Sequence, residues 1–111
     1  MPSWDDVVAI GLELPEVELG SWFGTPGLRV AGNGFCRLRS NPEALVIRVL
    51  DLGDREALVR GNPDAYFYTP HYEGFPYVLV RLDKVDRDEL RELIEDAWRL
   101  RAPKRLVADF D

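Results

Sequence analysis

The stretch that decides the fold is 69-TPHYEGFPYVLVRL-82, an aromatic loop with two prolines that runs directly into an apolar strand. Pro70 and Pro76 each fix one backbone φ angle, and each pushes the preceding residue towards extended geometry. The glycine between them supplies the conformational freedom for a turn. The segment therefore predicts a rigid loop over Thr69–Pro76, followed by a β-strand over Tyr77–Leu82.

The residues before this loop predict an antiparallel meander, because short runs of strand-forming residues alternate with turn signals. Gly24–Gly27 is a turn by its composition, and the Asn-Gly step within Gly32–Gly34 suits the positive φ angles of a tight hairpin. The expected strands are Val17–Phe23, Leu28–Ala31, Phe35–Arg39 and Ala44–Leu50. With the strand after the loop, they predict a sheet of about five strands.

Helices are expected on either side of these strands. The first begins at the N-cap Ser3 and stops before Pro15, and a second, capped by Asp51 or Asp54, covers Arg55–Arg60. The last long helix begins at a capping box made by Asp86 and Glu89, and Pro103 ends it before a short apolar tail. Its apolar residues recur at three- and four-residue spacings and predict one buried stripe: Leu90, Leu93, Ile94, Ala97 and Trp98.

Composition predicts an ordinary globular domain. The chain has 111 residues, of which 46% are hydrophobic and 31% charged, so one domain over residues 1–111 can bury a core. We expect an α+β fold, with helices packed against the antiparallel sheet. No apolar run is long enough to span a bilayer, and no basic region precedes the first apolar residues, so the expected location is the cytoplasm. The lone Cys36 fits a reducing compartment.

Charge is the first guide to function. The net charge of −6 argues against a general polyanion binder, because such a protein needs a local basic surface that overcomes the overall repulsion. Strand alternation nevertheless places several arginines on one side of the expected sheet: Arg29, Arg37, Arg39, Arg48 and Arg81. Guanidinium groups at this spacing suit phosphate oxygens. A solvated face whose arginines pair with neighbouring acids explains the same pattern and is common in antiparallel sheets.

Two further features stay open between structural and binding roles. The run Arg99–Arg105 ends with Lys104 and Arg105, which could contact an anion or could offset the dipole at the end of the last helix. Cys36 alternates with the arginines, so we expect a buried, inert thiol facing away from them, with Phe35 on the arginine side.

The loop contains the only histidine, His71, beside Tyr72. We expect His71 to be a buried, hydrogen-bonded ring that shapes the loop. The rigid loop would hold His71 and Tyr72 either against the final helix near Trp98 or as the wall of a ligand pocket. No serine or cysteine nucleophile is identifiable near His71, so the expectation is a protein that is not an enzyme.

Cofactor motifs are not found in the sequence. One cysteine and one histidine cannot supply a structural zinc site, and the acidic residues lack the spacing of a calcium loop. The glycine-rich motifs that bind phosphates and dinucleotides are absent as well. We therefore expect no metal and no cofactor.

Taken together, Thr69–Leu82 and 97-AWRLRAPKRLVADFD-111 resemble the signature of the MmcQ/YjbR family of small bacterial proteins, often labelled DNA-binding. The likeness extends through Trp4–Pro15 and Gly24–Val30. It implies a compact α+β domain and, as for some members, a winged arrangement suited to DNA. In that arrangement the hairpin around Gly32–Gly34 and the strand arginines would approach the duplex, with the C-terminal cations beside them.

Two functions follow as expectations. The first is a non-enzymatic DNA-binding domain, with the following residues on phosphates: Arg37, Arg39, Arg48, Arg81, Lys104 and Arg105. The second is a chaperone-like adaptor that binds a protein partner through a sheet face or the aromatic loop. An enzyme with a small-molecule pocket at His71 and Tyr72 has the least support. None of these readings calls for a membrane partner.

Overall fold

The computed structural model describes residues 2–22, 24–40 and 43–110, and within them one antiparallel sheet has the strand order β1-β2-β3-β4-β6-β5. Its strands are β1 Val17–Trp22, β2 Thr25–Val30, β3 Asn33–Arg39, β4 Ala44–Arg48, β5 Tyr66–Phe67 and β6 Tyr77–Val80. The first four strands follow one another as a meander, and β6 then pairs with both β4 and β5. The α+β fold with an antiparallel sheet is confirmed, with the short β5 as a sixth strand among the described residues.

The helices are α1 Trp4–Leu12, α2 Leu52–Gly61, α3 Arg87–Arg101 and α4 Lys104–Phe110. Short 3₁₀ turns cover Pro70–Tyr72 and Leu82–Lys84. The main core lies between α1, α3 and one face of the sheet. At its centre the fully buried Trp98 donates from its indole N–H to the Pro15 carbonyl at 3.0 Å, which ties α3 to the end of α1. Of the described helices, none has the length and apolar character needed to cross a membrane.

The predicted helix caps are present, but the capping box at α3 is only half formed, because the Glu89 carboxylate accepts from the Tyr66 hydroxyl. The Ser3 backbone N–H donates to the Asp6 carboxylate at 2.8 Å, and the Asp51 and Asp86 carboxylates accept from backbone N–H groups three residues later. The predicted stripe of α3 is buried, with Leu93 partly so. These features depend on groups three or four residues apart, which explains why local sequence predicted them.

Both predicted hairpin turns are displaced. Thr25, Pro26 and Gly27 belong to β2 rather than to a turn, and Asn33 and Gly34 belong to β3. In the second hairpin, Ala31 and Gly32 take the positive φ angles, 49° and 85°. The reason is tertiary: the Asn33 amide donates to the Arg101 carbonyl at 3.2 Å, which fixes Asn33 at the end of the strand next to α3. The predicted strand end at Phe23 lies outside the described residues.

A β-bulge in β3 places one residue on the face of the sheet opposite to the one predicted. Leu28 pairs with Cys36 and Arg29 pairs with Gly34, so Phe35 is the extra residue of β3. Phe35 and Cys36 are consequently both buried in the helix-covered core. The buried Cys36 is confirmed, and burial raises the pKa of its thiol. The expectation that Phe35 shares the arginine side is wrong, because the bulge interrupts the alternation.

The short apolar tail after Pro103 forms a helix, α4. In α4, Leu106 is buried in the main core and the Phe110 ring lies 5.0 Å from the Trp98 ring. Pro103 ends α3 as predicted, and its carbonyl accepts the Leu106 N–H at 3.0 Å at the start of α4.

Candidate ligand cavity on the arginine-bearing face

The arginine face is the side of the sheet turned away from α1 and α3. Arg37 and Arg39 lie across from Val46 and Ala44, and Arg48 lies across from Tyr77. With period-two alternation, the strand pairing brings the predicted arginines to this side: Arg29, Arg37, Arg39, Arg48 and Arg81. The predicted alternation is therefore confirmed for them. Glu18, opposite Arg29 on β1, is an acidic residue that the register places on the same side.

The loop of residues 69–76 covers the middle of the arginine face. Its Tyr72 packs with Ala44, Val46 and Leu79 in a second small apolar cluster. The Tyr72 hydroxyl also accepts a hydrogen bond from the Arg37 guanidinium. The loop therefore packs on the side of the sheet opposite Trp98. Of the two placements predicted for His71 and Tyr72, packing against the last helix is wrong. The loop thus covers part of the arginine face, which is not uniformly exposed to solvent.

Arg55 of α2 holds this loop. It is only 4% exposed, and its guanidinium donates to the carbonyls of Tyr72 at 2.7 Å, Glu73 at 2.8 Å and Phe75 at 2.9 Å. The same group lies 3.7 Å from the centroid of the Tyr68 ring. Backbone oxygens and an aromatic face thus stabilise a buried cation. Sequence analysis missed Arg55, because nothing in the local pattern distinguishes it from other arginines on the polar helix α2.

The large cavity lies beside the loop and has a volume of about 540 Å³. Its lining includes three guanidinium groups, one imidazole and four phenyl or phenol rings: Arg29, Arg37, Arg101, His71, Phe35, Tyr72, Phe75 and Tyr77. Gly34, Cys36 and Val46 complete it. No acidic side chain is among the described residues that line it. The large cavity is therefore locally cationic and aromatic in a chain of net charge −6.

Arg101 reaches the large cavity from the end of α3. Its Nε donates to the Gly34 carbonyl at 3.1 Å, which places its guanidinium at the end of the second hairpin. The predicted cations of the same run lie elsewhere: Arg105 pairs with Glu16 at 3.1 Å, and Lys104 is exposed on α4. Neither of the two lines the cavity. The dense basic run indicated an anion site, but the sequence could not show which of its cations would form it. The tertiary contact with the hairpin is what places Arg101 at the cavity.

His71 lies on the rim of the large cavity and is exposed. Its ring meets the Tyr72 ring edge-on, with centroids 4.8 Å apart and an interplanar angle of 88°. The expectation of a buried, structural ring is wrong. Successive residues of a 3₁₀ turn point about 120° apart, so burying Tyr72 under the loop leaves its neighbour His71 outside.

A small cavity of about 330 Å³ lies on the other side of the Arg37–Tyr72 contact. Its polar lining groups come from the strands and from the loop: Thr25, Arg37, Arg39, Ser40, Thr69 and His71. The Thr69 hydroxyl is buried and makes no hydrogen bond to any described residue. Arg37, His71 and Tyr72 thus form a wall shared by both cavities.

The remaining predicted arginines lie along the face. Arg48 donates to the Val49 carbonyl at 3.0 Å and lies 5.9 Å from the Tyr77 ring centroid. Arg81 donates to the Asp64 carbonyl at 3.1 Å and covers the Phe67 ring at 4.1 Å. The described partners of both are neutral, so their positive charges are retained on this face. Among the described residues, no cluster of His, Cys, Asp and Glu is arranged to hold a metal ion.

Comparison with known proteins agrees with this architecture. The family model described as YjbR matches residues 12–100. The chain belongs to the YjbR family. The stretch matched to YjbR includes every described residue that lines the large cavity except Arg101, which follows it directly.

Curated relatives of this YjbR chain share nearly its whole length. A Mycobacterium bovis protein is 36% identical over 124 aligned residues, covering 99% of this chain and 96% of the relative. Two proteins from strains of Mycobacterium tuberculosis match with the same 36% identity and the same coverage. All three are described as uncharacterized proteins.

A solved structure shows the same fold. The crystal structure of a Deinococcus radiodurans protein with a DUF419 domain matches with a TM-score of 0.74 and 24% sequence identity. The match covers 90% of this chain and 78% of that one.

Proposed function

We propose that this YjbR-family chain is a non-enzymatic nucleic-acid-binding protein, with DNA as its first candidate ligand and the arginine face as its contact surface. The observation that carries the proposal is the gathering of strand arginines on one side of the sheet, joined by Arg101 from α3. Phosphate binding by an acidic protein needs such a local concentration of positive charge. Guanidinium groups donate to phosphate oxygens through a planar fork.

The shape of the face supports contacts along a strand of phosphates. Arg39 lies on β3, Arg48 on β4 and Arg81 just after β6, so their positive charges are spread across neighbouring strands of the sheet. The second hairpin, with Ala31 and Gly32 exposed, lies at the other end of β3 from Arg39 and would serve as the wing. Lys104 and Arg105 would add contacts from α4, at the end of the molecule near Glu16.

A purely binding role is supported by the chemistry of the two cavities. The thiol of Cys36 is buried and its pKa is raised by that burial, which makes it a poor nucleophile. His71 is exposed and contacts an aromatic ring. General acid–base catalysis needs a base positioned by a partner and aimed at a substrate atom, and His71 contacts a ring instead.

The test is a fluorescence anisotropy titration of labelled single-stranded and duplex DNA at several salt concentrations. Each phosphate contact contributes about 0.7 to the salt slope for a single strand and about 0.9 for B-form duplex. Replacing Arg39 and Arg48 together by glutamine should therefore weaken binding and reduce the slope by about 1.4 or about 1.8, respectively.

Two controls make the result specific. Arg60→Gln removes an exposed arginine that belongs to α2 rather than to a strand of the arginine face, and it should leave the slope unchanged. Glu18→Gln removes an acidic group from the same face and should strengthen binding, because it reduces the repulsion of phosphates. Binding that is insensitive to salt, or equal effects of the Arg39/Arg48 and Arg60 variants, would contradict the proposal.

An adaptor that binds a protein partner is the second candidate. It is favoured by Leu50, which precedes α2, and Leu52, the first residue of α2, because their side chains are 61% and 42% exposed. Exposed leucines so close together are typical of protein contacts. If the titrations detect no nucleic acid binding, the serine variants of both leucines become the next test, with an altered sedimentation of the complex as the readout.

A further inference from the structure

We propose that the large cavity binds a single phosphorylated nucleotide, with the phosphate among Arg29, Arg37 and Arg101 and the base against the aromatic wall. This inference rests on the proposed function, because the nucleotide in the cavity would be one unpaired nucleotide of a DNA strand bound on the arginine face. The chemistry shared by a free nucleotide and a strand is a flat heterocycle that carries a phosphate, and the experiment below separates the two sources.

The size of the cavity fits this class of ligand. Cavities that bind small organic molecules generally measure about 300–1,000 Å³, and the large cavity measures about 540 Å³. Its walls come from β2, β3, the loop and the end of α3, which the contact from Arg55 and the contact from Arg101 hold in place. The site is therefore built by fixed elements rather than by one mobile surface.

The guanidinium groups of the cavity fit a phosphate. Arg29, Arg37 and Arg101 approach the cavity from β2, β3 and α3. The Ser21 carbonyl, the Tyr72 hydroxyl and the Gly34 carbonyl each accept a hydrogen bond from one of them, which orients the three side chains. A guanidinium group donates to phosphate oxygens through a planar fork, and no acidic side chain is among the described residues that line the cavity.

The aromatic lining of the cavity fits a base. Phe75 is 59% exposed although it is a large apolar side chain, and it lines the cavity with Tyr77 and the exposed His71 ring. Nucleobases stack on such rings whatever their sequence, because every base presents a π-face. Binding would cover part of the Phe75 ring that the folded chain leaves in water.

A base that stacks on the aromatic rings of this cavity must present its face to them. A base inside a duplex already stacks on its neighbours, so it would first have to leave that stack, which has an energetic cost. The cavity thus predicts a preference for single strands, whereas phosphate contacts on the arginine face alone would favour neither form.

The experiment measures binding of deoxyadenosine monophosphate, deoxyadenosine and inorganic phosphate by NMR titration of the folded protein. The monophosphate should bind saturably and should shift the Phe75 ring signals, and both fragments should bind more weakly. Phe75→Ala should weaken the monophosphate and the nucleoside alike by about tenfold, the equivalent of one lost stacking contact. Arg101→Met should weaken the monophosphate far more than the nucleoside, because it removes a phosphate donor.

Leu50→Ala is the matched control, since it truncates another exposed apolar side chain that does not line the cavity. It should leave all three affinities unchanged, and folding of every variant is checked by its amide spectrum. No saturable binding of the monophosphate, or the same affinity in the Phe75, Arg101 and Leu50 variants, would overturn the inference.

Titration with a short deoxyadenosine oligonucleotide and its duplex separates this inference from the proposed function. A single strand that competes with the monophosphate, together with a weaker duplex, supports both. Oligonucleotide binding that depends on Arg39 and Arg48 without any monophosphate binding refutes the cavity alone. Monophosphate binding with the expected variant pattern, but no oligonucleotide binding, refutes the proposed function and leaves the cavity as a site for a free nucleotide.

Discussion

Replacing Arg55 tests the organisation of the site most directly, because this side chain connects α2 to the loop that forms the cavity wall. Arg55→Met keeps much of the side-chain length and apolar stem while removing the charge and the donors. In the folded chain the guanidinium donates to the carbonyls of Tyr72, Glu73 and Phe75 and lies against the Tyr68 ring. All four interactions are lost in the variant.

The expected magnitude follows from opposing contributions. Hydrogen bonds to a charged donor contribute about 1.5–3 kcal/mol each, and a contact between a cation and an aromatic ring adds about 0.5–2 kcal/mol. Against this, removing a buried charge recovers a desolvation penalty of several kcal/mol, about the value of one or two of those bonds. In the variant, water also hydrogen-bonds to the carbonyls of the opened loop, which offsets part of the lost free energy. We therefore expect the free energy of unfolding to fall by about 2–4 kcal/mol.

Urea denaturation followed by circular dichroism measures this loss, and hydrogen exchange locates it. The Tyr72 and Phe75 N–H groups, which donate within the loop at 2.9 and 3.0 Å, should lose protection first. Arg60→Met, an exposed position on the same helix, should change the unfolding free energy by less than about 0.5 kcal/mol. An Arg55→Met protein as stable as the Arg60 control would refute the account of a loop held by a buried cation.

Three further predictions follow from individual side chains. Cys36 is buried, so a thiol reagent should label it slowly in native protein and quickly in urea; fast native labelling would mean that Cys36 does not face the core. The Ser3 N–H and then Arg87 hold the pKa of the Asp6 carboxyl below its usual value, so its contribution is present at neutral pH and lost as pH falls through that lowered pKa. Asp6→Asn should therefore lower the melting temperature at neutral pH, with a difference that disappears as the pH falls through the lowered pKa of Asp6, and a constant difference would argue against this. His71 is exposed, so His71→Ala should change the unfolding free energy by less than about 0.5 kcal/mol in the same urea assay, and a loss above about 1 kcal/mol would show a structural role.

Much of the fold could be predicted from the sequence, because its signals act over short distances along the chain. The capping of α1 at Ser3 and of α3 at Asp86 uses groups three residues apart. The α3 stripe follows from helical periodicity, and the common side of the strand arginines follows from the alternation of side chains. The resemblance carried by the loop and the C-terminal run indicated the family that the comparisons show.

The site itself depended on contacts between distant segments. Phe35 lies in the core because a bulge opposite Leu28 breaks the alternation, and Arg101 lines the cavity because α3 ends beside the hairpin at Gly34. Arg55 is buried because the loop folds back over it.

Sequence by itself thus determined five of the six described strands, the capping residues, the buried stripe of α3 and the side of the sheet that carries the arginines. Tertiary structure alone decided which cations meet, that Tyr72 is buried while His71 is exposed, and that a cavity lies beside the loop. The physical reason is that periodicity reports the direction of a side chain relative to its own element. The partner opposite that side chain is set by how separate elements pack, which no short stretch of sequence encodes.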